Sequence, residues 1–492
     1  MTASGLLAQR GSYVAGQWID GDEGLAVENP ADETLVCELS AAPVEEIRRA
    51  VGAARRSFDG GDWANLTAND RAKVLHVCVD YLESVREPFI ATMVAEAGQP
   101  RMFAEMAQFS AGITLARNTI DLYLSLADEE ANPVPVNELT RGRVAISIRR
   151  FEPVGVVSAI TPYNGAVIMA FQKLIPALMA GNSVILRPSP LTPISSLAFG
   201  AAAEAAGLPD GVLSVVVESG SAGAEILTSD PAVDMVSFTG STAVGRQILA
   251  QAALTVKRVA LELGGKSAQI YLPDAAHRAG AGAAAVVAMT AGQACVAATR
   301  MFVPQEQKDA VLDAVTKAYA GITVGPPSDP TAFMGPLITA AQRERCERYV
   351  ALAEEHGGKV AHGGGRPDGL DRGYYFEPTV LDLPDNANPA AQEEIFGPVI
   401  GVIGYRDIDH AVEMANDSIY GLSGQVYGAD ASAATAVARR LRTGAVNVNT
   451  GMFSAYAPSG GYKQSGLGRE RGIDGIRAFQ EVKHVSIGEL PT

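Results

Sequence analysis

Cysteine is scarce in this chain: four in 492 residues, Cys37, Cys78, Cys295 and Cys346, with no CxxC pair. Such scatter builds no disulfide framework, and it points to a reducing, cytoplasmic location. Histidine is little richer. The six (His76, His277, His356, His362, His410 and His484) show no HxxxH or comparable ligand spacing, so neither a structural nor a catalytic metal is expected. A basic surplus is also missing. Lys and Arg number 39 against 55 Asp and Glu, a net charge of −16. That argues against nucleic acid or an anionic membrane surface as partner and leaves room only for local basic sites. Between Met1 and Gln17 no basic region leads into an apolar run, so no signal peptide is expected. The uncharged stretch between Arg278 and Arg300 mimics a membrane span, but it is mostly Ala and Gly and carries Thr290, Gln293 and Thr299. It reads as a buried helix and loop, and no membrane partner is expected.

What the chain does have is length and apolar content. Hydrophobic residues make up 47% and charged residues 19%, the balance of a globular protein too long for one core, so two or three domains are expected. Helical spacing covers Pro43 to Phe58, runs on from Asn69 to about Glu96, and covers Met102 to about Ala127. Pro133-Val134-Pro135-Val136 then breaks the pattern, and Arg143 to Arg150 alternates as a strand. From Pro153 onward short apolar strands alternate with helices: Val154–Ile160, Ser183–Leu186, Val212–Val217, Met235–Phe238, Val259–Leu263 and Ala268–Leu272. Short connections between them predict parallel sheets covered on both faces. A helix is expected over Ala279–Met289, and His484–Ile487 forms a small strand free to pair with another element or another subunit.

Several short motifs carry chemistry. Gly292-Gln293-Ala294-Cys295 sets a thiol after a run of small residues, and Leu261-Glu262-Leu263-Gly264-Gly265-Lys266 sets a carboxylate beside glycines. Together they suit a nucleophile and a general base brought together by the fold. Read singly, Cys295 is equally an inert buried thiol and Glu262 a paired carboxylate. Phe238-Thr239-Gly240-Ser241-Thr242 joins a strand to a helix. Its amides suit a pyrophosphate, or Ser241 is simply an N-cap. It lacks the GxGxxG dinucleotide pattern. Arg187, in Leu186-Arg187-Pro188-Ser189-Pro190, ends another strand, where a ribose or phosphate binds in open α/β sheets, unless it is a surface arginine before a turn. Asn164, in Pro162-Tyr163-Asn164, is placed either to donate to an oxyanion or to occupy a turn.

Taken in order, and continued by Glu394-Ile395-Phe396-Gly397-Pro398 and Gly461-Tyr462-Lys463-Gln464-Ser465-Gly466, these motifs resemble the aldehyde dehydrogenase superfamily from about Tyr13 to His484. The resemblance implies an α/β fold of two open parallel-sheet domains. The cofactor-binding domain would take 1–130 and 151–262, the catalytic domain 263–465. A small β element at 131–150 and 478–492 would bridge subunits of a homodimer or homotetramer. It further implies that Cys295 attacks an aldehyde, that Asn164 and the Cys295 backbone N–H hold the oxyanion, that Glu262 activates water, and that Lys173 orients groups or relays protons. For the cofactor, NAD, it implies contacts from Ser241 to the pyrophosphate, Glu394 to the nicotinamide ribose and Phe396 near the ring. Ile160, Thr161, Tyr163, Arg187, Ser189, Pro190, Gly220, Phe238, Gly240, Leu263 and Gly264 would line the same cleft.

Departures from the family pattern shape two further expectations. Arg187 stands where most members have Lys, and Pro190 where many have a Glu that repels a 2′-phosphate. NADP should therefore be tolerated better than in members with that glutamate, with NAD still first. Gly165, Gln172 and Ser459 replace common aromatic residues, while Met169, Met289 and Phe453 remain as apolar lining. A wider, more polar tunnel implies a bulky or partly polar aldehyde. The competing readings are a CoA-acylating semialdehyde dehydrogenase, which the presence of Glu262 disfavours, and a non-catalytic binding protein, which intact Cys295, Glu262 and Asn164 disfavour.

Overall fold

The computed structural model of the chain describes residues 7, 11–134, 144–280, 290–451 and 454–488. An eight-stranded sheet runs from edge to edge as Gly466–Leu467, Arg258–Glu262, Met235–Thr239, Val156–Ile160, Ser183–Arg187, Leu213–Val215, Ser12–Val14 and Gln17–Ile19. The five inner strands are parallel, and the edges join antiparallel. Val156–Ile160 and Met235–Thr239 are buried at every position, because helices cover both faces and solvent meets neither.

Chain order makes a crevice in this sheet. From Val156–Ile160 the chain builds outward through Ser183–Arg187 and Leu213–Val215. It then returns to lay Met235–Thr239 and Arg258–Glu262 on the other side. The reversal opens a gap at the carboxyl ends of Val156–Ile160 and Met235–Thr239, the place where ligands of open α/β sheets bind.

A second sheet of seven strands follows the order Lys359–His362, Thr379–Asp382, Val399–Tyr405, Arg300–Pro304, Ala268–Tyr271, Ser423–Tyr427 and Ala445–Val448. Only its first strand is antiparallel to its neighbour. A third sheet pairs Gln480–Gly488 with Val144–Pro153 and Glu129–Ala131, all antiparallel. The late strand therefore pairs within its own chain over its whole length, while two residues just upstream, Gly466 and Leu467, return to the first sheet against Glu262 and Leu261.

The helical stretches differ from expectation in two places. The pattern from Asn69 to Glu96 is two helices, Ala68–Ser84 and Arg86–Ala97, hinged at Val85 (φ −100°, ψ 26°). Pro88 lies four residues past Ser84 and has no N–H to give its carbonyl, so the first helix cannot run on. Between Arg101–Phe103 and the helix Ala111–Leu124, residues Ala104–Ser110 wind as a π-helix. The helix expected over 279–289 falls largely on 281–289, outside the described residues, as do Met289, Phe453 and most of the linker at 135–143. Among the described residues no helix is long and apolar enough to cross a membrane, and no group of three or more His, Cys, Asp or Glu is placed to hold a metal.

Candidate active site

The loop after Val156–Ile160 is pinned from behind. The backbone carbonyl of Asn164 accepts from Gln99 Nε2 (2.9 Å) and from Gln108 Nε2 (3.1 Å), the latter from the π-helical turn. In front, Asn164 Nδ2 donates to the Gln293 carbonyl at 2.8 Å. Gln293 is in turn held by Ile338 N to its Oε1 (3.1 Å) and by its own Nε2 to Thr290 O (3.2 Å). One amide N–H of Asn164 is thus spent on the loop that carries Cys295 two residues later, and the residue itself lines the cleft.

That loop folds back under tight backbone constraint. Gly292 has φ +68°, and a Cβ there would stand 1.9 Å from the Gly397 carbonyl oxygen. Gly265, three residues beyond Glu262, packs so close that a Cβ would meet the Cys295 carbonyl oxygen at 2.3 Å. Glycine at both places brings the Glu262 and Cys295 segments together. By surface area Cys295 is only half-buried. It still sits deep enough that burial, and then Glu394 and Glu262, push its thiol up to about 12. The resting residue is a thiol.

Glu262 is buried, and burial holds its carboxyl well above the usual carboxylate range. The nearby Glu470 adds to the shift, while Lys173 and Arg469 oppose it. Lys173 is fully buried in the helix Ala166–Met179, donating from Nζ to Glu470 Oε1 (2.5 Å) and Ser237 Oγ (3.0 Å). Two carboxyls and one ammonium therefore share a dry region behind the thiol. Lys173 does not line the cleft. It acts on Glu262 from behind, and Glu470 is its partner.

In front lies a cleft of ≈ 440 Å³ at the crevice of the first sheet. Of the residues expected there, Ile160, Thr161, Tyr163, Asn164, Met169, Arg187, Ser189, Phe238, Gly240, Ser241, Glu262, Leu263, Gly264, Cys295, Glu394 and Phe396 all line it. Pro190, Gly220, Gly165, Gln172 and Ser459 do not. Gln172 borders a separate small cavity with Arg471, and Ser459 pairs backbone to backbone with Glu470 (2.7 and 2.8 Å). Ser241 caps the helix Thr242–Ala252, its Oγ accepting from Val244 N. Glu394 Oε1 accepts from Gly265 N at 2.9 Å.

Several neighbours escaped the sequence reading. Gln342 and Arg345, from the helix Ala340–Glu355, line the cleft and hold the Glu394–Phe396 turn by its carbonyls. Phe396 sits at φ +61° and meets Tyr163 edge to face, ring centres 6.0 Å apart. The polar helix AAQRERCERYV gave no sign that two of its side chains point into a site. A dinucleotide fits the lining. Thr161 and Thr239 line the cleft, their buried hydroxyls unpaired among the described residues, and the cleft also offers the amides of the Gly240-Ser241 turn at a helix start for a pyrophosphate.

Known proteins with this arrangement are numerous. A geranial dehydrogenase of Castellaniella defragrans is 38% identical over 96% of this chain and 98% of its own. A betaine aldehyde dehydrogenase of Bacillus subtilis is 34% identical over 96% of each. Among solved structures, a Mycobacterium tuberculosis aldehyde dehydrogenase complexed with NAD+ superposes with a TM-score of 0.94 at 37% identity, covering 99% of this chain and 100% of that one. A Pseudomonas syringae aldehyde dehydrogenase C mutant complexed with NAD+ and octanal gives 0.92 at 34% identity, covering 97% and 96%. The aldehyde dehydrogenase family pattern itself matches residues 18–485. With the fold, the crevice and the full-length match in agreement, this chain belongs to the aldehyde dehydrogenase family and is an oxidoreductase acting on aldehydes.

Proposed function

We propose that this enzyme oxidises an aldehyde to its acid at Cys295, with NAD+ held in the cleft as hydride acceptor. Supporting the reading is the convergence of Cys295, Glu262 and Asn164 on one cleft. Cys295, a resting thiol, passes its proton to Glu262, which lines the cleft beside it and returns that proton to solvent before the hydrolytic half of the reaction. The sulfur adds to the carbonyl carbon, and the oxygen takes the electron pair. Asn164 Nδ2 and the Cys295 backbone N–H stabilise that oxyanion, and removing one such donor typically costs ~10²–10³ in turnover. When bound, NAD+ accepts the hydride. What stays on the protein is a thioester. Glu262 then takes a proton from water, whose oxygen attacks the thioester, and the acid leaves as Cys295 recovers its electron pair.

In this reading Glu394 and Phe396 position the nicotinamide ribose and ring, and Ser241 the pyrophosphate. Residues 1–130 and 151–262 serve as the cofactor-binding domain, 263–465 as the catalytic domain. For the substrate we propose a bulky or partly polar aldehyde, with the adaptable side chain of Met169 as its apolar lining in the cleft. A homo-oligomer suits the outward-facing apolar pair Leu254 (80% exposed) and Val256 (90% exposed); light scattering reads its size. The decisive experiment feeds an aldehyde panel to Glu262→Gln with NAD+ and weighs the intact protein. An acyl group accumulating on Cys295 supports the reading. A fully active Cys295→Ser enzyme refutes it.

A further inference from the structure

Arg187 ends the strand Ser183–Arg187 on the rim of the cleft. Taken alone it is a free guanidinium, ready for a phosphate. In the structure it is not free. Its Nε donates to Glu218 Oε1 at 2.8 Å, and its NH2 donates to the Gly220 carbonyl at 2.9 Å. The pair is largely out of water, with side chains 12% and 6% exposed.

Glu218 cannot swing away. Its Oε2 accepts from Gly223 N (2.7 Å) and its Oε1 from Ala224 N (3.0 Å). These are the second and third amides of the helix Ala222–Ser229, whose Ser221 provides no side-chain cap. One carboxylate thus neutralises both positive features beside it, the guanidinium and the helix end. Space is open beside Gly220, where an added Cβ meets nothing within 4 Å, so charge is the feature of this corner that bears on an anionic ligand.

We infer that Glu218 is a specificity-determining residue that turns the enzyme against 2′-phosphorylated dinucleotides by cancelling Arg187. The inference rests on the reading of the cleft as a dinucleotide site. It runs against the expectation that arginine at 187 and proline at 190 let NADP be tolerated better than in members with the glutamate, and it keeps NAD first. A phosphate dianion at this corner meets a fixed carboxylate together with a guanidinium already engaged, whereas a ribose hydroxyl carries no charge to repel. The carboxylate therefore penalises the phosphate and leaves the hydroxyl nearly untouched.

Titration calorimetry tests this without turnover. The ligands are NAD+, NADP+, 5′-AMP and 2′,5′-ADP, and the proteins are the parent, Glu218→Gln and Arg187→Gln. The parent should bind 2′,5′-ADP more weakly than 5′-AMP. Glu218→Gln should raise the affinity ratio of 2′,5′-ADP to 5′-AMP by about tenfold or more, the scale of one charge at a partly buried site. Arg187→Gln leaves Glu218 unopposed and should lower that ratio below the parent's. It also serves as the test if Glu218→Gln does not fold. An unchanged ratio in the folded variants, or a parent that binds NADP+ as tightly as NAD+, overturns the inference. Failure of NAD+ itself to bind overturns the reading of the cleft and the inference with it.

Discussion

Replacing Lys173 by methionine isolates the most heavily buried charge cluster in the molecule's site. Lys173 is 0% exposed and its partner Glu470 only 4%, with 2.5 Å between Nζ and Oε1. Methionine keeps the stem and removes the cation. Glu470 is then a carboxylate out of water with Glu262 nearby, and breaking a buried pair by removing one partner costs about 3–5 kcal/mol. Glu470→Gln in the same chain removes the orphaned charge, so the double variant should regain about 2 kcal/mol of the loss. Trp63 reports on this region: it is buried and its Nε1 donates to Leu178 O, in the helix that carries Lys173. Urea unfolding followed by its fluorescence gives the four stabilities of the cycle. The double variant proving less stable than Lys173→Met, or Lys173→Met unfolding within about 1 kcal/mol of the parent, refutes the picture of an uncompensated carboxylate.

Other outcomes follow from the same structure. Because the pKa of Glu262 is raised, its water-activating ionised form fills only as pH climbs, so thioester hydrolysis should accelerate with pH through that raised pKa. Rapid-quench single turnovers should show the limb in the parent and lose it in Glu262→Gln. Gly165→Phe would press on Met169, whose Cγ already lies 3.3 Å from a built Cβ, and should depress kcat/KM for large aldehydes more than for propanal; equal losses refute the tunnel argument. Glu96 is buried, accepts from Ile194 N and Ser195 N, and is pushed by burial from 4.5 up to about 7. Unfolding frees it to ionise, so its contribution to stability is whole below pH 4.5 and is lost as pH rises to about 7. Denaturation midpoints in the parent should fall across that window, and Glu96→Gln should flatten the decline.

The alternation of strands and helices was legible because apolar spacing records which faces are covered. The same spacing carries no record of polar partners. Glu470 sits between Arg469 and Arg471, a run that reads as a solvated face, yet it is buried against Lys173, 297 residues away in sequence. Glu218 likewise lies 31 residues from Arg187 and gives no local hint of pairing. Cys295, Glu262 and Asn164, which share one cleft, stood out in the sequence because their motifs come as an ordered set, two of them marked by glycines. Gln99, Gln108 and Gln293, which hold Asn164, sit in stretches with no such mark. The hinge at Val85 was legible in principle from Pro88; the π-turn was not, since its seven residues keep ordinary helix-forming composition.

That π-turn makes the loop carrying Asn164 vulnerable to a kind of change that point substitutions never sample. A π segment is in effect an α-helix carrying one surplus residue. Deleting one residue from 104–110 would let the wider turn relax to ordinary winding, removing the local bulge that presents Gln108 to the loop while the flanking helices keep their places. Gln108 would leave the Asn164 carbonyl with no mutation near the cleft itself. Insertions and deletions in this stretch should thus be selected against more strictly than substitutions at its exposed Met106, and a library that shuffles helix lengths here would find few active members.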